Sequence, residues 1–233
     1  MPPLAHGPLL AVIRETLRRN RVANGMVYLQ VTRGVAPRDH AFPPKGTPPG
    51  LVVMAKPVDF AALAQRAATG VAAHLVPEVR WSRRTIKTTA LLPAVLAKQA
   101  AREAGAYEGW FVTPEGRVTE GASTNAWMVD ATGTLVTHPA DGDILHGVTR
   151  AGVLRVAHTL RIPVREVAFT VDDLTRAAEA FMSSATAVIM PVTSVSGIGI
   201  EGSHTIGEGR PGAVTQALRH AYFTSLERGA DPG

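Results

Sequence analysis

The sequence predicts an α+β protein with mixed sheets, and three observations carry that reading. Apolar residues switch along the chain between helical spacing and short runs of β-forming residues. The two kinds of segment follow one another without a regular strand–helix–strand unit, which argues against a doubly wound sheet. The 45% hydrophobic and 18% charged composition of the 233 residues is that of an ordinary globular protein with enough apolar surface for a core.

The elements follow in order. Leu9, Leu10, Val12, Ile13, Leu17 and Val22, mixed with Arg14, Arg18, Arg19 and Arg21, predict an amphipathic helix that stops between Asn20 and Gly25. Gly25 to Gly34 is rich in β-formers and reads as a strand. Pro37, Pro43, Pro44, Pro48 and Pro49 then forbid regular structure up to Gly50. Leu51–Lys56 is a second strand, and Pro57-Val58-Asp59 breaks the chain before a short helix from Phe60 to Ala68. A domain boundary is expected here, dividing 1–57 from 58–233.

Gly70–Pro77 and Val79–Trp81 read as strands, and Ser82–Thr89 as a polar stretch. Leu92, Val95, Leu96 and Gln99 share a helical face between Leu91 and Ala104, with Gly105 as the stop. Tyr107–Thr113, Asn125–Val129 and Thr134–Thr137 are strand-like, separated by turns at Pro114-Glu115-Gly116 and Ala131-Thr132-Gly133. A helix is expected over Gly147–Leu160, strands over Val164–Phe169, Ala180–Met182 and Val188–Val192, and a closing helix over Gly212–Glu227.

Composition excludes several classes of function. The chain has no cysteine, which removes disulfide scaffolds, thiolate metal sites, iron–sulfur clusters and cysteine nucleophiles. The net charge of +5 comes from 24 basic residues, 4 of them lysine, scattered without a basic block interleaved with aromatics, so no nucleic-acid partner is expected. No apolar run approaches the roughly 20 residues of a membrane helix, and no secretory pattern opens the chain. Cytoplasm is the expected location.

Four segments carry groups suited to chemistry. Lys87 sits in Arg83-Arg84-Thr85-Ile86-Lys87-Thr88-Thr89, just ahead of an apolar helix. An amine near other cations or away from water loses its proton more readily and can condense with a carbonyl to a Schiff base. By position alone a solvated lysine accounts for it too. Glu120 lies in Gly116-Arg117-Val118-Thr119-Glu120-Gly121-Ala122-Ser123-Thr124-Asn125, a carboxylate among glycines and hydroxyl residues. It suits a cationic ring nitrogen, or equally a capped turn with an exposed glutamate. Leu145-His146-Gly147-Val148-Thr149-Arg150 enters a helix, where free N–H groups and the dipole favour an anion, as at any helix start. Phe181-Met182-Ser183-Ser184-Ala185-Thr186-Ala187 ends a strand with small residues that offer further N–H and hydroxyl donors.

Together these are the parts that pyridoxal 5′-phosphate requires of a protein. Their order and wording resemble the fold-type IV (class IV) aminotransferases. The resemblance rests on Arg84-x-x-Lys87, Val118-Thr119-Glu120-Gly121-x-Ser123-x-Asn125, His138-Pro139, Ile144-Leu145-x-Gly147-Val148-Thr149-Arg150 and Ser183-Ser184-x-Thr186. It runs from about Gly25 to the last helix. Gln30-Val31-Thr32-Arg33-Gly34-x-x-Pro37-Arg38-x-His40-x-Phe42-Pro43 is similar to a loop of the D-amino-acid branch of that family. There an arginine and a histidine reach the substrate carboxylate across a dimer interface.

The resemblance implies a two-domain, homodimeric enzyme that uses pyridoxal 5′-phosphate to transaminate D-amino acids, of the type D-alanine plus 2-oxoglutarate to pyruvate plus D-glutamate. It implies that Lys87 is the catalytic residue, holding the cofactor as a Schiff base and then moving a proton between the substrate Cα and the cofactor. Glu120 would bind the pyridine nitrogen. Val148, Thr149, Ser184 and Ala185 would bind the phosphate, and Arg38 and His40 the substrate carboxylate. Residues 1–57 would then be the remnant of a small N-terminal α/β domain, and 58–233 the large cofactor-binding domain.

Two departures from the family pattern stand out. Ala185 replaces a second hydroxyl residue, leaving a backbone N–H in that place. The opening hairpin and a His-x-x-Arg-Leu segment of the family have no counterpart before Leu9, so a truncated small domain is expected, through a misplaced start or a gene fragment, beside a naturally short enzyme. The alternatives are an aminodeoxychorismate lyase, a branched-chain or amine transaminase of the same fold, or an inactive truncated family member.

Overall fold

A computed structural model of the chain describes residues 5–227 and residue 229. The chain divides into two compact units, one ending at Ala62 and the other beginning at Leu63.

The first unit holds α1 (His6–Arg19), β1 (Gly25–Thr32), β2 (Gly50–Pro57) and the first turn of α2 (Phe60–Thr69). Arg18 and Arg19 close α1, where cations suit the carbonyl end, and both reach back to Glu15. β1 and β2 form an antiparallel pair in register from Gly25 opposite Pro57 to Thr32 opposite Gly50. The proline-rich segment between them is irregular, as its missing N–H groups require. Gly34 enters it at φ 99°, and a Cβ there would lie 2.0 Å from the Pro48 carbonyl oxygen, so only glycine fits. No described residue of this unit is buried, because one helix and two strands cannot enclose one another's apolar faces.

The second unit continues through β3 (Val71–Pro77), α3 (Leu92–Glu103), β4 (Glu108–Val112), β5 (Arg117–Gly121), β6 (Asn125–Val129) and β7 (Leu135–Thr137). It goes on through α4 (Val148–Thr159), β8 (Val164–Glu166), β9 (Phe169–Thr170), α5 (Val171–Thr175), β10 (Glu179–Ser184), β11 (Val188–Gly197), β12 (Ser203–Thr205) and α6 (Ala213–Glu227). All but the helices join one mixed sheet. In it β6, β10, β11, β3, β4 and β5 pair in succession, and a β5–β6 pairing closes these six strands into a ring. The β11–β3, β3–β4 and β7–β8 pairs are parallel and the others antiparallel.

The ring is filled by Leu75, Trp110, Val118, Met182, Met190 and their neighbours. Outside it, α4 and α6 cover Trp127, Phe181 and Ile189, with the Trp127 and Phe181 rings stacked at 5.4 Å. A third cluster seats α3 on Val76 and Phe111 through Ala97. Each such large side chain contributes about 1.5–3 kcal/mol when fully buried. Closure matters for the site because β5 must turn directly into β6, which sets Glu120 beside Asn125.

Four elements differ from the sequence expectation. Val79–Trp81 is no strand: after Glu78 N–H bonds the Val112 carbonyl, the chain leaves the sheet and Arg80 folds back on Glu78. β5 reads as polar in sequence because Thr119 and Glu120 are buried in a polar network rather than among apolar side chains. α5 carries no apolar periodicity and is set by a capping box between Thr170 and Asp173. β12 is a three-residue edge strand, too short and hydrophilic to show a pattern.

Candidate active site

Glu120 is the centre of the site. It stands at the end of β5, buried, with three protein donors on its carboxylate. Oε1 accepts from Arg80 Nη1 at 2.5 Å and from the Leu145 backbone N–H at 3.0 Å. Oε2 accepts from Asn125 Nδ2 at 2.9 Å, and the same amide group donates to the Leu145 carbonyl at 3.0 Å. A carboxylate offers about four acceptor positions, so one on Oε2 is left for a ligand.

Arg80 divides its fork between two carboxylates. Nε and Nη2 pair with Glu78 Oε1 and Oε2 at 2.9 and 2.6 Å, and Nη1 goes to Glu120. Thr119 Oγ1 donates to Glu78 at 2.8 Å. Arg84 lies 3.5 Å from Glu78 and pairs with Asp143. Burial pushes the Glu120 carboxyl above the usual range, which favours its neutral form, and Arg80 only partly opposes this. Burial acts upward on Glu78 as well, but the bidentate Arg80 outweighs it and holds Glu78 below the usual range.

The turn into α4 adjoins this network. Gly147 is the N-cap of α4 and makes no side-chain cap, so the first N–H groups of the helix have no side-chain acceptor there. A Cβ on Gly147 would lie 2.2 Å from Asn125 Oδ1. Replacing Gly147 with alanine should therefore displace the Asn125 amide and cost about 1–3 kcal/mol, read as a lowered urea midpoint; an unchanged midpoint would show that the amide yields freely. Val148 is exposed and Thr149 buried in the first turn. Arg150 anchors the turn from behind, donating to the His138 carbonyl at 2.7 Å and to Glu166 at 2.6 Å.

Ser183 sits opposite Asn125 across the β10–β6 pair, its Oγ accepting from Trp127 Nε1 at 2.9 Å. Ser184 and Ala185 follow at the strand end, half-buried and exposed, with Ser184 Oγ accepting from the Ala187 N–H at 3.1 Å. The turn returns through Val188 at φ 58°, a strained conformation for a β-branched residue. Glu120, Asn125, Gly147–Thr149 and Ser183–Ala185 are thus brought together by strand pairing and hydrogen bonds at one end of the ring.

Lys87 lies on the irregular segment between β3 and α3, and its side chain is exposed. Arg84, three residues earlier, ties that segment to Asp143 in the loop that leads to Leu145. Arg38 and His40 are exposed in the proline-rich loop of the first unit. Arg80 and Glu78 are site residues that the sequence reading missed. Opposite charges two positions apart at the end of an apolar strand were the available signal. A buried carboxylate with one acceptor position open, a glycine-dependent turn with free helix N–H groups and an exposed lysine fit a group that carries a ring nitrogen, a phosphate and an aldehyde.

The family model described as "Amino-transferase class IV" matches residues 1–195. A D-alanine aminotransferase of Staphylococcus haemolyticus is 36% identical over 220 residues, spanning 94% of this chain and 74% of the relative. A branched-chain amino acid aminotransferase from Escherichia coli superimposes with a TM-score of 0.77 at 29% identity, over 99% of this chain and 73% of that one. A branched-chain amino acid aminotransferase from T.th., solved with pyridoxamine 5′-phosphate, gives 0.80 at 26% identity, over 99% of this chain and 74% of that one.

Proposed function

Since the chain belongs to the class IV aminotransferases, with their fold-type IV architecture, we propose that it is a pyridoxal 5′-phosphate-dependent transaminase of D-amino acids with Lys87 as its catalytic residue. The observation that carries this reading is the one acceptor position left on the buried carboxyl of Glu120. When bound, the cofactor supplies an aldehyde for the amino group and a ring that accepts electrons. Glu120 holds the ring nitrogen and favours its protonated form. Val148 and Thr149, with Ser184 and the Ala185 N–H, hold the phosphate. Lys87 would hold the cofactor through its carbonyl carbon and, once the substrate's amino group has displaced it, would take the proton from the substrate Cα. Arg38 and His40 bind the substrate carboxylate, the arginine in bidentate fashion.

A D-amino acid with a 2-oxo acid such as 2-oxoglutarate as amino acceptor is favoured by the D-alanine aminotransferase relatives and by the Arg38-x-His40 loop. Transamination of branched-chain L-amino acids is the second reading, favoured by the branched-chain enzymes among the structural neighbours. The test is absorbance of the protein with pyridoxal phosphate before and after D-alanine, L-alanine or L-leucine. Conversion to the pyridoxamine form by D-alanine alone, with one pyruvate released per site, is the expected result. Conversion by L-leucine alone would establish the second reading, and failure to form a bound band would overturn both.

We also infer a homodimer. Leu92, Val95 and Leu96 recur at helical spacing on α3 and are 68%, 57% and 59% exposed, an apolar face of the kind that marks an association surface. Sedimentation should give twice the chain mass, and replacing Leu92 and Leu96 with arginine should give the monomer. A monomeric parent protein would exclude it. Among the described residues no helix is long and apolar enough to cross a membrane.

A further inference from the structure

Glu108 opens β4 with its side chain wholly buried, and the chemistry above makes no use of it. A buried carboxylate is costly unless it is paired and hydrogen-bonded. Here Oε2 accepts from Ser123 Oγ at 2.7 Å and Oε1 from the Gly109 N–H at 3.0 Å, while Lys98 Nζ of α3 stands 3.3 Å from Oε1. Ser123 lies in the turn between Glu120 and Asn125.

Two further contacts hold the same turn. The Ala122 N–H donates to the Gly109 carbonyl at 2.9 Å, and a Cβ on Gly121 would lie 3.0 Å from Glu108 Cγ, so glycine lets the glutamate stem pass close beneath the backbone. The turn closes on itself through Gly121 N–H to the Thr124 carbonyl at 2.7 Å. Whatever fixes residues 121–124 also fixes the spacing of Glu120 and Asn125, whose carboxylate and amide meet at 2.9 Å. Lys98 joins this arrangement to α3, the helix that follows the Lys87 segment.

We propose that Glu108 is a positioning residue: through Ser123 it clamps the 121–124 turn so that the Glu120 carboxylate and the Asn125 amide stay aligned for the ring nitrogen. This rests on the reading of Glu120 as the partner of that nitrogen. Glu108 touches neither substrate nor cofactor and acts through the turn. Its charge matters because a carboxylate accepts from the Ser123 hydroxyl, the Gly109 N–H and the Lys98 ammonium together, which a neutral amide cannot do.

The test compares the parent protein with Ser123→Ala, Ser123→Thr, Glu108→Gln and Glu108→Ala, each titrated with pyridoxal phosphate at several pH values and melted without it. Ser123→Ala should bind the cofactor roughly tenfold more weakly, the size of one hydrogen bond to a charged group. It should also move the pH at which the bound cofactor's absorbance changes, and Ser123→Thr, which keeps the hydroxyl, should restore both. Glu108→Gln should shift the same pH midpoint, and in a Glu120→Gln background Ser123→Ala should shift it no further. A lowered melting temperature with an unmoved affinity and pH midpoint would overturn the proposal and leave Glu108 a structural residue. If Glu108→Ala does not fold, the Ser123 pair decides the matter alone. No bound band in the parent protein would overturn the functional reading and this proposal with it.

Discussion

Replacing Lys87 with alanine should lower turnover by about 10²–10⁴-fold, the range spanned by a positioned proton-transfer group, and should abolish the visible band formed with pyridoxal phosphate. The same substitution should leave unfolding free energy within about 0.5 kcal/mol, since the side chain is exposed on an irregular segment. Arginine at this position should be as inactive as alanine, because a guanidinium keeps its proton and cannot condense with an aldehyde. Steady-state rates beside urea unfolding check both halves. Retained turnover in Lys87→Ala would remove the lysine from the mechanism, and a large loss of stability would show that it serves the fold.

Glu78→Ala should have the largest effect on stability. The Glu78 side chain is buried and supplies two of the four acceptors of the Arg80 fork, so its removal leaves a half-buried guanidinium partly unpaired, at a cost of about 3 kcal/mol. Against a usual total of about 5–15 kcal/mol this is a marked drop in melting temperature. The pH dependence has a definite sign. Glu78 is held below its usual value of 4.5, so its contribution is present above that pH and is lost as the pH falls through the lowered value. The parent protein should lose stability on acidification below about pH 4.5, and the variant should lose less over the same interval. Equal acid limbs would show that the Glu78–Arg80 pair carries no such stability.

Segments with a regular spacing of apolar residues were legible in the sequence, whether that face packs inward or stays exposed. The helical face of Leu92, Val95 and Leu96 and the strand runs at Asn125–Val129 and Val188–Val192 appear as α3, β6 and β11. Their signal is the spacing of apolar residues, which is local. The same logic misread β5 and Val79–Trp81. A strand buried in a polar network carries Thr119 and Glu120 where the pattern asks for valine or leucine, and the apolar-looking Val79 is 62% exposed because the chain has left the sheet. For the site, the segments around Lys87, Glu120, Thr149 and Ser184 stood out by residue type and order. Arg80 and Glu108 did not, since each acts through a partner distant in the chain: forty positions separate Arg80 from Glu120, and fifteen separate Glu108 from Ser123.

The sequence by itself determined which chemical groups are present and in what order, along with the α+β class and the main helices and strands, because residue type and local periodicity are properties of short segments. The tertiary structure alone decided that the carboxyl of Glu120 is buried with three donors on it and one acceptor position open. That depends on ring closure between β5 and β6, which sets it beside Asn125, and on how one guanidinium divides its donors between two buried carboxylates. Charge balance in a buried network is a sum over contacts distant in sequence, and only the folded chain performs that sum.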